Sequence, residues 1–168
     1  VRGFFAEVER QFEENNYESR TQRIALTPFT VNSVQDRDAV LSSVEQVSQL
    51  CNNVGLRWFC VPFHAVGHDS EAINSVAIDI AREHKNAFVN YIVTENKCLD
   101  RKAVLCASKF TQAVSKLSDN GIDNFRCGVS FNCKPHGAFF PFTYHEGANG
   151  FSIALEIVPL CVEVIHKH

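Results

Sequence analysis

Arg57-Trp58-Phe59-Cys60-Val61 (RWFCV) and Ala87-Phe88-Val89-Asn90-Tyr91-Ile92-Val93 (AFVNYIV) are short runs rich in aromatic and β-branched residues. Between them Ile73, Val76, Ala77 and Ile80 recur at helical spacing from about Ser70. Short apolar runs bounded by turn residues read as strands, and the three-to-four spacing reads as an amphipathic helix. Two strands joined through a helix form a crossover and pair in parallel. This βαβ unit decides the fold class.

The same alternation extends outward. Thr21–Leu26 (TQRIAL) reads as a strand closed by Thr27-Pro28-Phe29. A helix is expected from Asp36 or Asp38, with Val40, Leu41, Val44, Val47 and Leu50 inward and Gly55 as its stop. Pro62 is expected to end the RWFCV strand. Phe4, Phe5, Val8 and Phe12 form an opening helical stripe among acidic residues, stopped by Asn15-Asn16. On the other side, Asp100–Leu117 predicts a helix closed by Asp119-Asn120-Gly121, and Phe125–Phe131 (FRCGVSF) a fourth strand. A Gly- and Phe-rich loop follows, then a closing helix from Phe151 with Pro159 as a kink or break. The expectation is one α/β domain over residues 1–168, its four parallel strands covered by helices on both faces. The alternative is a set of βα units from a larger barrel, completed by another segment or another chain.

Composition narrows the function classes. Of 168 residues, 45% are hydrophobic and 21% charged, with 16 basic against 19 acidic side chains and a net charge of −3. No basic excess exists to neutralise phosphates, so a nucleic-acid binder is not expected. Phe151–Ile165, the longest apolar stretch, is interrupted by Ser152, Glu156, Pro159 and Glu163, so no membrane span is expected. The seven cysteines are odd in number and lack CxxC pairs, which favours reduced thiols in a cytoplasmic setting, or an organellar one after removal of a leader. The chain has no Met and opens Val1-Arg2-Gly3-Phe4-Phe5, so it reads as a processed chain or a fragment.

Ligands of parallel α/β folds meet the loops at the carboxyl ends of strands. Those ends are Thr27-Pro28-Phe29, Pro62-Phe63-His64, Thr94-Glu95-Asn96 and Asn132-Cys133-Lys134, the last running on through His136. The densest candidate is Tyr144-His145-Glu146-Gly147-Ala148-Asn149-Gly150. His145 beside Glu146 offers an acid/base pair, with Tyr144, Gly147, Asn149, His136 and His64 as candidate binding residues. A glycine-rich approach to a helix start suits a small anion. The plainer reading is a loop that turns on its glycines, with Asn149 or Ser152 as a helix N-cap. Cys60, His64, His68, Asp69, Cys133 and His136 lack the tight paired spacing of zinc ligands, so no metal is expected. Cys133, near Lys134 and His136, is the best-placed nucleophile, although free cysteines more often serve as small core residues. No GxGxxG, P-loop or GxSxG motif is present, and the sequence names no cofactor.

The run GIDNFRCGVSFNCKPHGAFFPFTYHEGANGFSIALE closely resembles the domain-of-unknown-function family 711, also labelled "PFL family protein". YESRTQRIALTPF (Tyr17–Phe29) and NNVGLRWFCVPF (Asn52–Phe63) match in the same order. The resemblance implies an α/β barrel related in fold to glycyl-radical enzymes, of which this chain would be the amino-terminal portion. It assigns no activity and no catalytic residues, and the chain has no Cys-Cys pair of the formate-lyase kind. The expected function is therefore the binding of a small anionic molecule at the carboxyl-end rim, with catalysis left open. The alternative is an accessory or structural subunit without activity of its own. Either way, a homo-oligomer or partner subunits are expected.

Overall fold

The computed structural model describes residues 2–167. Helix α1 (Arg2–Glu14) is followed by β1 (Arg23–Ala25), α2 (Val34–Val54), β2 (Trp58–His64), α3 (Ser70–Glu83) and β3 (Ala87–Ile92). A hairpin of β4 (Thr94–Glu95) and β5 (Cys98–Leu99) leads to α4 (Arg101–Val114), a 3-10 segment (Asp119–Arg126), β6 (Cys127–Ser130) and α5 (Val158–Lys167). The main sheet has the order β1-β2-β3-β6 and is parallel throughout. The α/β alternation read from the sequence is present.

Capping residues start the helices. Ser33 accepts from Asp36 N, so α2 starts before Asp36. Asp69 caps α3 and Asp100 caps α4, each accepting two backbone N–H groups. Gly55, at φ 76°, ends α2 in the left-handed conformation that glycine adopts without strain.

Several boundaries differ from expectation. β2 runs through Pro62 to His64. Leu26 donates to Cys60 O and Phe29 to Pro62 O, so alternate residues of β2 face β1. The missing N–H of Pro62 falls where β1 has left register, between Ala25↔Cys60 and the isolated Phe29↔Phe63 bridge. The fourth strand is shorter than Phe125–Phe131 because Arg126 turns inward. Its guanidinium donates to Ala81 O, His84 O and Ala87 O and pairs with Asp123 at 2.6 Å. The hairpin, absent from the sequence reading, turns on Asn96 and Lys97, both at positive φ. The closing helix starts at Val158, not Phe151, with Pro159 in its first turn, where a missing N–H is harmless. Phe151, Ile153, Leu155 and Ile157 alternate with period two, which a helix cannot place on one face.

Helices were expected on both faces; α2, α3 and α4 all pack on one. Phe59, Val61 and Phe63 of β2 and Ala87, Val89 and Tyr91 of β3 join Val44, Ile73, Val76, Ile80, Cys106 and Phe110 in a single core. Strands added in one direction through right-handed crossovers place every helix on the same side; two-sided cover needs the strand order to reverse. The sheet is open among the described residues, with β1 and β6 as edges.

The opposite face carries Arg23, Trp58, Cys60, Pro62, His64, Phe88, Asn90, Ile92, Gly128 and Ser130, as the register shows. A strap, residues 139–145, lies over it. Cys60 Sγ donates to Pro141 O and Thr143 O, Ser130 Oγ to Phe142 O at 3.1 Å, and His145 N to Leu26 O. Phe140 meets Phe88 edge-on at 5.1 Å. At Gly128 a Cβ would lie 1.7 Å from two ring carbons of Phe142, so only glycine lets this ring reach the sheet.

Candidate functional site

The carboxyl ends of the strands hold two groups of titratable side chains. The first is in the loop after β6. The His136 and His145 rings meet edge-to-face with centroids 5.1 Å apart. His136 Nε2 lies 2.8 Å from Glu146 O, and His145 Nε2 lies 2.9 Å from Ala148 O. A carbonyl only accepts, so each neutral ring carries its hydrogen on Nε2 and presents a lone pair at Nδ1. Backbone bonds brace the pair: His136 N donates to Tyr144 O, and Ser152 Oγ donates to His136 O. The Tyr144 hydroxyl donates to Cys133 O at 2.9 Å. Burial, with the Glu146 carboxylate and the Cys133 thiol nearby, pushes the Tyr144 phenol up, so it stays a donor at neutral pH.

The structure thus brings His136, Tyr144 and His145 together. The Glu146 side chain is exposed, and only its backbone carbonyl engages a histidine, so its carboxylate is not aligned on His145. Gly147 takes a positive φ of 73°, and Asn149 is exposed. Neither Asn149 nor Ser152 caps a helix, since α5 begins at Val158. Cys133 is exposed, with its Sγ 3.6 Å from Phe131 O.

The second group follows β2. His64 stacks edge-on against His68 with centroids 5.7 Å apart, and His64 Nδ1 is buried without a hydrogen-bond partner. His68 Nδ1 meets Asn32 Oδ1 at 3.0 Å. Beside His68 opens a cavity of about 340 Å³ lined by Ala65, Gly67, His68, Asp100, Arg101 and Lys102. Asp100 Oδ1 is committed to capping α4, where it accepts from Lys102 N and Ala103 N. The cavity thus combines a helix start with two cationic side chains and an imidazole. The sequence reading missed Arg101 and Lys102; the available signal was an N-cap aspartate followed at once by two basic residues.

Under the strap lies a third polar set. Asn90 is fully buried, and its Oδ1 lies 2.9 Å from Ser130 Oγ. Asn90 Nδ2 and Thr143 Oγ1 are buried without a partner. Cys60 is sealed beneath the strap, and burial pushes its thiol well up, so it carries no nucleophilic thiolate. Among the described residues no three His, Cys, Asp or Glu side chains converge as metal ligands, and no helix is long and apolar enough to cross a membrane.

A family model described as Uncharacterised ACR (DUF711) matches residues 1–168. The chain belongs to the DUF711 family. No curated protein and no solved structure matches it. The family brings no assigned activity to this DUF711 chain, so the chemistry has to be argued from the rim itself.

Proposed function

We propose that this DUF711 chain binds a small anionic molecule at the carboxyl-end rim of its sheet. One observation carries the reading: the cavity after β2 is lined by Arg101, Lys102 and His68 at the start of α4, and its one carboxylate is occupied as the helix cap. Two flanking cations and the positive end of the α4 dipole favour an anion. His145 is the proton-moving candidate, since its ring is held by Ala148 O and His136 and presents Nδ1. Glu146 would act on a ligand from solvent and not through the imidazole. His64 supports the cavity by bracing His68, whereas Gly147 and Asn149 shape the loop. Parallel strands in sequential order with helices on one face also support the reading that the sheet is one arc of a barrel, completed by further chain or another subunit.

The test is thermal denaturation with inorganic phosphate and with malonate, at ionic strength fixed by NaCl. We expect a concentration-dependent rise in Tm that shrinks in the Arg101→Gln/Lys102→Gln double variant. A rise of equal size in that variant would remove the cavity from consideration.

A second reading, an accessory or structural subunit, is favoured by exposed apolar side chains. Phe151, Leu155 and Ile165 are 70%, 76% and 73% exposed, more than solitary surface residues explain. Light scattering after size exclusion separates the two: a stable assembly that breaks up on Leu155→Asp, with no anion effect on Tm, supports the subunit reading.

A further inference from the structure

At the amino-terminal ends of β1 and β2, away from the rim, two arginines share one indole. The Arg57 guanidinium carbon lies 4.1 Å from the Trp58 ring centroid and that of Arg23 lies 5.4 Å from it. Arg23 also lies over Phe140 of the strap at 5.0 Å. Trp58, Phe88, Phe125 and Phe140 form a continuous edge-to-face set around them, with centroids 5.1–6.4 Å apart.

The charges are unbalanced. Arg10, Arg20, Arg37, Arg82 and Arg126 each have a carboxylate within 4.0 Å. Among the described residues Arg2, Arg23, Arg57 and Arg101 have none, and of these Arg23 has its Nε buried with no acceptor. Desolvation and the neighbouring Arg57 both disfavour the Arg23 charge. Ring faces give each cation some compensation, but they accept no N–H bond along the guanidinium fork. An oxyanion held beside Arg23 and Arg57 would supply the missing counter-charge and an acceptor for Arg23 Nε.

We propose that Arg23 and Arg57, set around Trp58, form a binding site for a small oxyanion, a phosphate or carboxylate group. The site is independent of the rim: it uses the other end of the strands and shares no residue with the cavity at α4.

Trp58 is the only tryptophan, so its fluorescence reports on this site directly. The protein is titrated with inorganic phosphate and, separately, with malonate, ionic strength being held constant with NaCl. A saturable change in emission is expected with at least one of them. Saturation by phosphate alone identifies a phosphate-bearing ligand, and saturation by malonate alone a carboxylate-bearing one. Arg57 is exposed, so Arg57→Gln keeps the fold, as far-UV circular dichroism would verify, and should raise the half-saturating concentration by about tenfold or more. Arg101→Gln/Lys102→Gln should leave this titration unchanged, whatever it does to the rim. Emission that follows NaCl alone, or an Arg57→Gln response equal to wild type, would overturn the proposal.

Discussion

Gly128→Ala tests how the strap is held. A Cβ built on Gly128 lies 1.7 Å from Cδ1 and Cε1 of Phe142, a separation that carbon atoms cannot keep. To reach ordinary carbon contact at ~3.5 Å the ring has to retreat by roughly 2 Å. Phe142 O accepts from Ser130 Oγ at 3.1 Å, and neighbouring Pro141 and Thr143 accept from Cys60 Sγ, so the retreat breaks bonds as well as packing. Overpacking of about 1–3 kcal/mol and one lost hydrogen bond of about 1 kcal/mol together give ~2–4 kcal/mol. For a chain of this size that is a fall in Tm of roughly 5–15 °C. Urea unfolding of Gly128→Ala, Phe142→Ala and the double variant isolates the cause. With Phe142 truncated, Gly128→Ala should cost less than about 0.5 kcal/mol, because alanine suits a strand better than glycine does. An equal loss in both backgrounds would refute the argument that the ring, and through it the strap, depends on this glycine.

Arg126 and Asp123 form a buried pair, and Arg126→Met should destabilise by about 3–5 kcal/mol in urea because it leaves three carbonyls without their donor and Asp123 with Lys85 as its remaining cation. Arg126 and the hydrogen bonds from Ser118 and Lys85 hold the Asp123 carboxyl below its usual range. Its contribution is therefore present above the unfolded carboxylate pKa and lost as pH falls through the lower folded value; Asp123→Asn should flatten stability below about pH 4, and an unchanged acid limb would count against the pairing. A thiol reagent should modify Cys98, Cys133 and Cys161 quickly in the native protein, while buried Cys51, Cys60 and Cys106 wait for unfolding and Cys127, pushed up to about 11, lags the exposed three. Rapid native modification of Cys60 would show that the strap does not seal the sheet. Tyr91→Phe removes a fully buried hydroxyl that donates to Asn74 Oδ1 at 2.7 Å and should cost about 1–1.5 kcal/mol by urea titration; a neutral effect would mean that bond is not made.

What was legible in the sequence follows from which residues answer to local rules. Val40, Val44 and Cys51, or Ile73, Val76 and Ile80, repeat with the helical period because one solvent boundary runs along each helix, and that period survives in the sequence. β3 reads clearly because it is buried along its whole length. Pro62 misled because its tolerance depends on where β1 loses register, a fact of the neighbouring strand. Arg126 misled because its bonding partners are the carbonyls of Ala81, His84 and Ala87, distant in sequence. The one-sided placement of helices is a property of strand order, which no single segment encodes.

The same distinction explains the rim. His136 and His145 could be flagged from their loop, but their edge-to-face contact and their carbonyl partners arise from a turn closed by Gly147 and Ser152, which proximity in sequence cannot show. His145 and Glu146 looked like an acid/base pair because they are adjacent; adjacent residues in an extended stretch point apart, so the imidazole meets Ala148 O and the carboxylate meets solvent. Arg101 and Lys102 looked like ordinary surface charges of a helix start, and gain meaning only when β2 delivers Gly67 and His68 to the same cavity. Arg23 and Arg57 were separated by a whole helix in the sequence and meet on Trp58 because β1 pairs with β2 in a register that sets Arg23 opposite Trp58. Each pairing that matters chemically is therefore a consequence of strand register or crossover, and the strongest perturbations of function should come from residues that fix those, such as Gly128 and Arg126, as much as from the charged groups themselves.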